Sequence, residues 1–219
     1  KPGGTITLEF PHLMKLIECI QFDTIYHEHY SYLSLFTVSQ IFAKAGLKII
    51  DVEELPTHGG SLRIYGCHVE DKRPEKIKVS KILAKEKRQG LQNLKVYQAF
   101  QQQADKLKDA LLTFLIEQKR IRKKIAAYGA AAKGNTLLNY AGVKPDLVPF
   151  VCDAAPSKQG KFLPGSRIRI TSEEEIRKYQ PDYILILPWN IKNEIIEQIN
   201  YVQSWDGKFV VFVPKLLII

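Results

Sequence analysis

The sequence is short of several features that would narrow it at once. Cysteine occurs three times, at Cys19, Cys67 and Cys152, far apart and odd in number. That makes neither a disulfide framework nor a zinc knuckle, and a reducing cytosol is the expected compartment. No apolar run approaches the roughly 20 residues that cross a bilayer, and no N-terminal signal peptide is visible. With 13 Gly and 11 Pro in 219 residues, 45% of them apolar, collagen-like and disordered readings are excluded. The single methionine, Met14, is not the first residue. The chain begins Lys1-Pro2-Gly3-Gly4, as a fragment of a longer protein would.

Acidic residues are scarce in one stretch. Residues 72–124 hold 16 of the 32 Lys and Arg and 5 of the 23 Asp and Glu, a surplus of 11, so the rest of the net +9 chain stands at −2. Apolar residues recur there at helical spacing (Leu91, Leu94, Tyr97; Leu107, Ala110, Leu111, Phe114, Leu115) with charge between them. The stretch reads as a solvated helix pair connecting two domains, with a docking face for anions as the alternative. Its aromatics do not interleave with the basic residues, so a nucleic-acid partner is not expected, nor is a membrane.

Two α/β patterns flank this connector. In residues 1–71, TITLEF reads as a strand, residues 12–22 and 37–45 as helices, and LKIIDVEEL and SLRIYGCHVE as strands joined through PTHGG. Three strands are few for an independent core, which suggests the back half of a larger domain. In residues 125–219 strands and helices alternate: KIAAY, NTLLNYAG, LVPFVCD, SEEEIRKY, PDYILILPWN, NEIIEQINYV, KFVVFVP. Ser172 and Glu175 stand at capping-box spacing. Such alternation predicts a small Rossmann-like parallel sheet of about four strands.

Strand, then Gly129-Ala-Ala-Ala-Lys133-Gly134-Asn135, then helix, is where such sheets bind phosphates. A P-loop is excluded because Asn135 follows the last glycine, and the dinucleotide fingerprint because Ala131 stands where its second glycine belongs. Lys133 is the candidate point charge. Asp153 ends the next strand nineteen residues after Gly134, near the spacing at which an acid meets a ribose hydroxyl. Lys158 and Lys161, and Pro188-Trp189-Asn190, follow strands at the same edge, with Trp189 placed to stack on a base or sugar or to cap the core. The alternative for the whole loop is a tight turn without ligand.

Tyr26-His27-Glu28-His29-Tyr30-Ser31-Tyr32 is the densest chemistry in the chain. His27 and His29 on one face of a strand would suit a metal, although no well-spaced third ligand follows. They would equally suit a satisfied polar junction, or an acid/base site in which an imidazole beside a carboxylate abstracts a proton next to a carbonyl.

The runs EFPHL, YHEHYSYLS, HGGSLRIY, AAYGAAAKGNTLLNYAG and CDAAPSKQGKFLPG, in this order, resemble the S-adenosylmethionine-dependent sugar C-methyltransferases that act on nucleotide-linked 4-keto sugars. The resemblance implies three parts: an N-terminal zinc module, a class I methyltransferase domain and a C-terminal Rossmann-like domain that helps bind the nucleotide sugar. PGGTITLEFP would then be a late strand of the methyltransferase sheet and the strands around Pro56–Gly60 its final pair. The zinc module and the cofactor's glycine loop would lie upstream of this chain. Carried over, the motif makes His29 the general base, with Glu28 and Tyr26 beside it. Gly129, Lys133, Gly134, Asn135, Asp153, Lys158 and Trp189 become substrate-binding candidates, and no metal is expected in this portion. A nucleotide- or sugar-binding module without catalysis, and a nicotinamide oxidoreductase domain, are the competing readings.

Overall fold

The computed structural model describes residue 1 and residues 3–219. The chain divides into two compact units, Lys1–Gln21 with His29–Gln102, and Phe22–Glu28 with Gln103–Ile219.

The first unit is built on an antiparallel sheet of order β1-β3-β2, with β1 Ile6–Pro11, β2 Leu47–Leu55 and β3 Ser61–His68. Alternation decides its inner face: Ile49, Val52, Leu62 and Ile64 are buried together with Leu35, Val38 and Phe42 of α2 (Leu35–Lys44) and Val79 and Ile82 of α3 (Ile77–Arg88). The expected helix over 12–22 is shorter, α1 spanning Leu13–Glu18. Two devices start α2. Ser34 Oγ accepts the Thr37 N–H at 3.1 Å. The fully buried Glu86 of α3 accepts the Leu35 and Phe36 N–H groups at 2.6 and 2.9 Å, and its Oε1 also meets His12 Nε2 at 2.7 Å.

The long basic helix α4 (Leu94–Arg120) contributes to both units, the division falling between Gln102 and Gln103. Its buried stripe, Ala104, Leu107, Leu111, Phe114 and Leu115, belongs to the second unit, where Phe114 meets Tyr183 and Phe212 edge-on. The second unit is a six-stranded sheet of order β6-β5-β4-β7-β8-β9. Its strands are β4 Ile125–Tyr128, β5 Phe150–Cys152, β6 Arg169–Thr171, β7 Tyr183–Ile186, β8 Lys208–Val211 and β9 Leu217–Ile218. The first five are parallel, and β9 returns antiparallel on β8. Parallel strands covered on both faces read as continuous apolar runs; all of β4 and β5 is buried. Ala126, Tyr128, Cys152, Ile184, Ile186, Phe209 and Val211 form one core with Ile176 of α6 (Glu173–Tyr179) and Ile195 of α7 (Lys192–Gln198).

The molecule is thus mixed α/β with a Rossmann-like parallel sheet, and differs from the sequence reading in detail. The sheet has six strands rather than about four, because β6 and β9 are three and two residues long and carry no periodicity. Ser172 does cap α6, but its side chain makes no capping bond, and Glu175 is engaged by Arg169 at 3.3 Å. Lys133 and Gly134 lie inside α5 (Ala132–Tyr140) rather than in the loop before it. Residues 26–28 form a turn after the 3-10 turn Phe22–Thr24, so the strand on which paired imidazoles would share a face is absent. Among the described residues, no three His, Cys, Asp or Glu side chains gather to hold a metal ion, and no helix is long and apolar enough to cross a membrane.

Candidate functional site

In the second unit, β4 lies between β5 and β7, and the segments leaving β4 and β7 pack on one another at the strands' carboxyl ends, the edge at which parallel α/β sheets bind ligands. The backbone there is tied tightly: Gly129 N–H donates to Cys152 O at 2.7 Å, and Leu187 N–H to Tyr128 O at 3.0 Å. Gly129 has φ +92°, and a side chain there would strike the Pro188 ring; a Cβ at Gly134 would lie 2.6 Å from Leu187 Cβ. Both glycines are therefore required by the packing of the β4–α5 turn on the end of β7.

Asp153 braces this turn. Its Oδ2 accepts the Ala130 N–H at 2.7 Å and the Lys158 ammonium at 3.1 Å, and its Oδ1 the Ala155 N–H at 2.9 Å. Gln159 Nε2 donates to its main-chain oxygen. The carboxylate, 8% exposed, is engaged on both oxygens from within the chain.

Three segments meet beside this turn. Lys133, in the first turn of α5, is buried and donates to Asn190 Oδ1 at 3.0 Å, with its ammonium 4.6 Å from the Trp189 ring centroid. The Trp189 Nε1–H donates to Asp23 Oδ2 at 2.7 Å. Asp23 is fully buried in the 3-10 turn Phe22–Thr24, and its Oδ1 has no partner. Burial pushes the Asp23 carboxyl up to about 6, against the pull of the Trp189 bond, the Lys133 charge and its own main-chain N–H. Burial also lowers the Lys133 ammonium, while the Asp23 charge raises it. The Asn135 side-chain oxygen is a second buried acceptor without a partner. The helix leaves the amides of Ala132, Lys133 and Gly134 outside its own ladder, whose first bond runs from Asn135 N–H to Ala131 O.

Lys133, Trp189 and Asn190 are thus brought together, while Gly129, Gly134, Asp153 and Lys158 shape the adjoining turn. Tyr26 is half-buried and Glu28 exposed, both in this unit; Phe22 anchors their segment by its ring, 5.0 Å from that of Tyr140. His27 and Glu28 stand 4.0 Å apart at the surface. His29, half-buried, falls in the first unit. The sequence reading missed Asp23. The available signal was an acid set between Phe22 and Thr24 directly ahead of the Tyr-His-Glu-His run. A thiol nucleophile is not offered at this edge: Cys152 is buried, its thiol pushed up to about 11.

Residues 56–214 match the family model described as the C-methyltransferase C-terminal domain. The chain belongs to this family. It is also 35% identical over 214 residues to the C-methyltransferase NovU of Streptomyces niveus, an alignment covering 98% of this chain and 51% of that protein. The chain therefore spans about half the length of that relative. The C-methyltransferase C-terminal domain match takes in the β4–α5 turn, Asp153 and Trp189, and the Tyr26–His29 segment lies ahead of it.

Proposed function

We propose that this chain is the acceptor-binding portion of an S-adenosylmethionine-dependent C-methyltransferase acting on a nucleotide-linked keto sugar. The observation that carries the reading is the convergence of Lys133, Trp189 and Asn190 at the carboxyl ends of β4 and β7, where the strand order reverses. Phosphates are met by the Lys133 ammonium and by the open amides at the start of α5. The Trp189 face is offered to a sugar or base, Asn135 supplies an acceptor, and Lys158, 43% exposed, adds charge at the rim. Asp153 holds the turn in place, its carboxylate already taking three donors from within the chain.

Methylation at carbon needs a carbanion equivalent, so a base must first remove the proton beside the keto group. His29 takes this proton, Glu28 orients or polarises its imidazole, and Tyr26 donates to the developing enolate oxygen. S-adenosylmethionine is the methyl donor that the family implies. Gly129 and Gly134 of the β4–α5 turn do not fit it, since Pro188 and Leu187 fill the space beside them; its site, and the zinc of the expected N-terminal module, belong in this reading to the part of the full-length protein that this chain does not span.

Calorimetric titration of the 219-residue chain with uridine- and thymidine-diphosphate sugars, and separately with S-adenosylmethionine, tests the reading. Detectable nucleotide-sugar binding with weak or no cofactor binding is expected. Tight cofactor binding without nucleotide binding would reverse it.

A further inference from the structure

We propose that Asp23 is a positioning residue of the acceptor site: its carboxylate fixes the Trp189 indole, and through that ring the Lys133 ammonium, in the arrangement that receives a diphosphate. The proposal rests on the acceptor reading above. Three observations carry it. First, Asp23 is fully buried yet half-satisfied, with Oδ2 on the indole N–H at 2.7 Å and Oδ1 unpartnered. A buried acceptor left without a donor is costly, and such groups ask for an explanation other than stability.

Second, a single indole is held at its edge and on its face. The carboxylate takes its N–H, and the Lys133 ammonium sits 4.6 Å from the ring centroid while donating to Asn190. An anion on the N–H enriches the ring's electron density and strengthens its hold on the cation. Third, Asp23 lies three residues ahead of Tyr26 on one segment of the same compact unit. The group that sets Lys133 therefore also lies on the short segment that carries Tyr26 and Glu28. The neighbouring charges are few: Lys133 from α5 acts on Asp23 directly, and Tyr140, whose ring meets Phe22, gives its hydroxyl to Asp105 of α4.

The test uses the 219-residue chain, uridine and thymidine diphosphate as probes, and a Trp205→Phe background that leaves Trp189 as the sole tryptophan reporter. Without ligand, Trp189 emission should change with a midpoint near pH 6, and Asp23→Asn should abolish that change. At pH 7.5, Asp23→Ala should weaken diphosphate binding roughly 10-fold or more. Asp23→Asn, which keeps an acceptor for the indole, should lose far less. Asp23→Ala combined with Trp189→Ala should bind no worse than Trp189→Ala alone. A pH transition that survives Asp23→Asn, or an Asp23→Ala chain that binds diphosphate normally, overturns the proposal. If the unsubstituted chain binds neither diphosphate while the Asp23-dependent transition is present, the acceptor reading falls instead.

Discussion

Each unit buries one acid completely, and the two acids are treated differently. Glu86 of the first unit accepts two helix amides and meets His12, so both oxygens are engaged. Asp23 of the second has one oxygen on Trp189 and one without a hydrogen-bond partner from any other residue. Glu86 closes the first turn of α2, where a negative charge also complements the helix dipole. Asp23 closes nothing; it holds an aromatic ring against a buried lysine. A fully satisfied buried charge supports the fold, whereas a half-satisfied one costs stability and is retained where a site needs it. Asp153, with three donors on its carboxylate, stands on the side of Glu86 although it lies beside the β4–α5 turn.

The strongest break of this comparison is chemical. In the full-length enzyme, His29→Ala should lose methyl transfer by roughly 10²–10⁴-fold, about 3–5 kcal/mol of barrier, with nucleotide-sugar affinity largely kept. Solvent-deuterium exchange at the carbon next to the keto group isolates the step. Wild-type exchange in His29→Ala would pass the role to Tyr26 or Glu28. On the structural side, Glu86→Ala strands two amides and His12, and should cost about 3–5 kcal/mol in urea unfolding. Diphosphate binding by the remaining folded protein should not change, and a Glu86→Ala chain as stable as the parent would place Glu86 outside the fold's supports.

Asp23 should behave in the opposite sense. Its carboxyl rises from 3.8 to about 6 in the fold, so its contribution is fully present below pH 4 and is lost as pH rises through 6. The stability difference between Asp23→Asn and the parent should therefore move in favour of the variant from pH 4 to 6, by up to about 3 kcal/mol, and be flat above pH 7. A difference that does not vary with pH would remove Asp23 from this account. The smallest effect separates the two basic regions: Lys133→Ala should weaken diphosphate binding by about tenfold, and Lys95→Ala on α4 within about twofold. Equal losses would move the phosphates to the helices.

The strands of the second unit were legible because burial on both faces writes them as unbroken apolar runs, IAAY and YILI among them. The β4–α5 turn was legible from its glycines, but their reason was not: Pro188 and Leu187 occupy the space that a ligand was expected to fill. Lys133 read as a loop residue because it stands between Gly129 and Gly134, whereas Ala131 caps the helix two residues earlier. Asp153 stands at the spacing of a ribose-binding acid, yet spacing is blind to the amide of Ala130, which already holds it.

By itself the sequence determined the α/β alternation, the confinement of the basic charge to residues 72–124, and the runs that tie the chain to the C-methyltransferases. These follow from local periodicity, composition and contiguous motif, which a chain carries whether folded or not. Only the tertiary structure decided that Phe22–Glu28 belongs to the compact unit of the β4–α5 turn, and that Asp23 meets Trp189 across 166 positions of sequence. Burial and hydrogen-bond satisfaction belong to the folded surroundings of a group, and no local pattern encodes a partner at that distance.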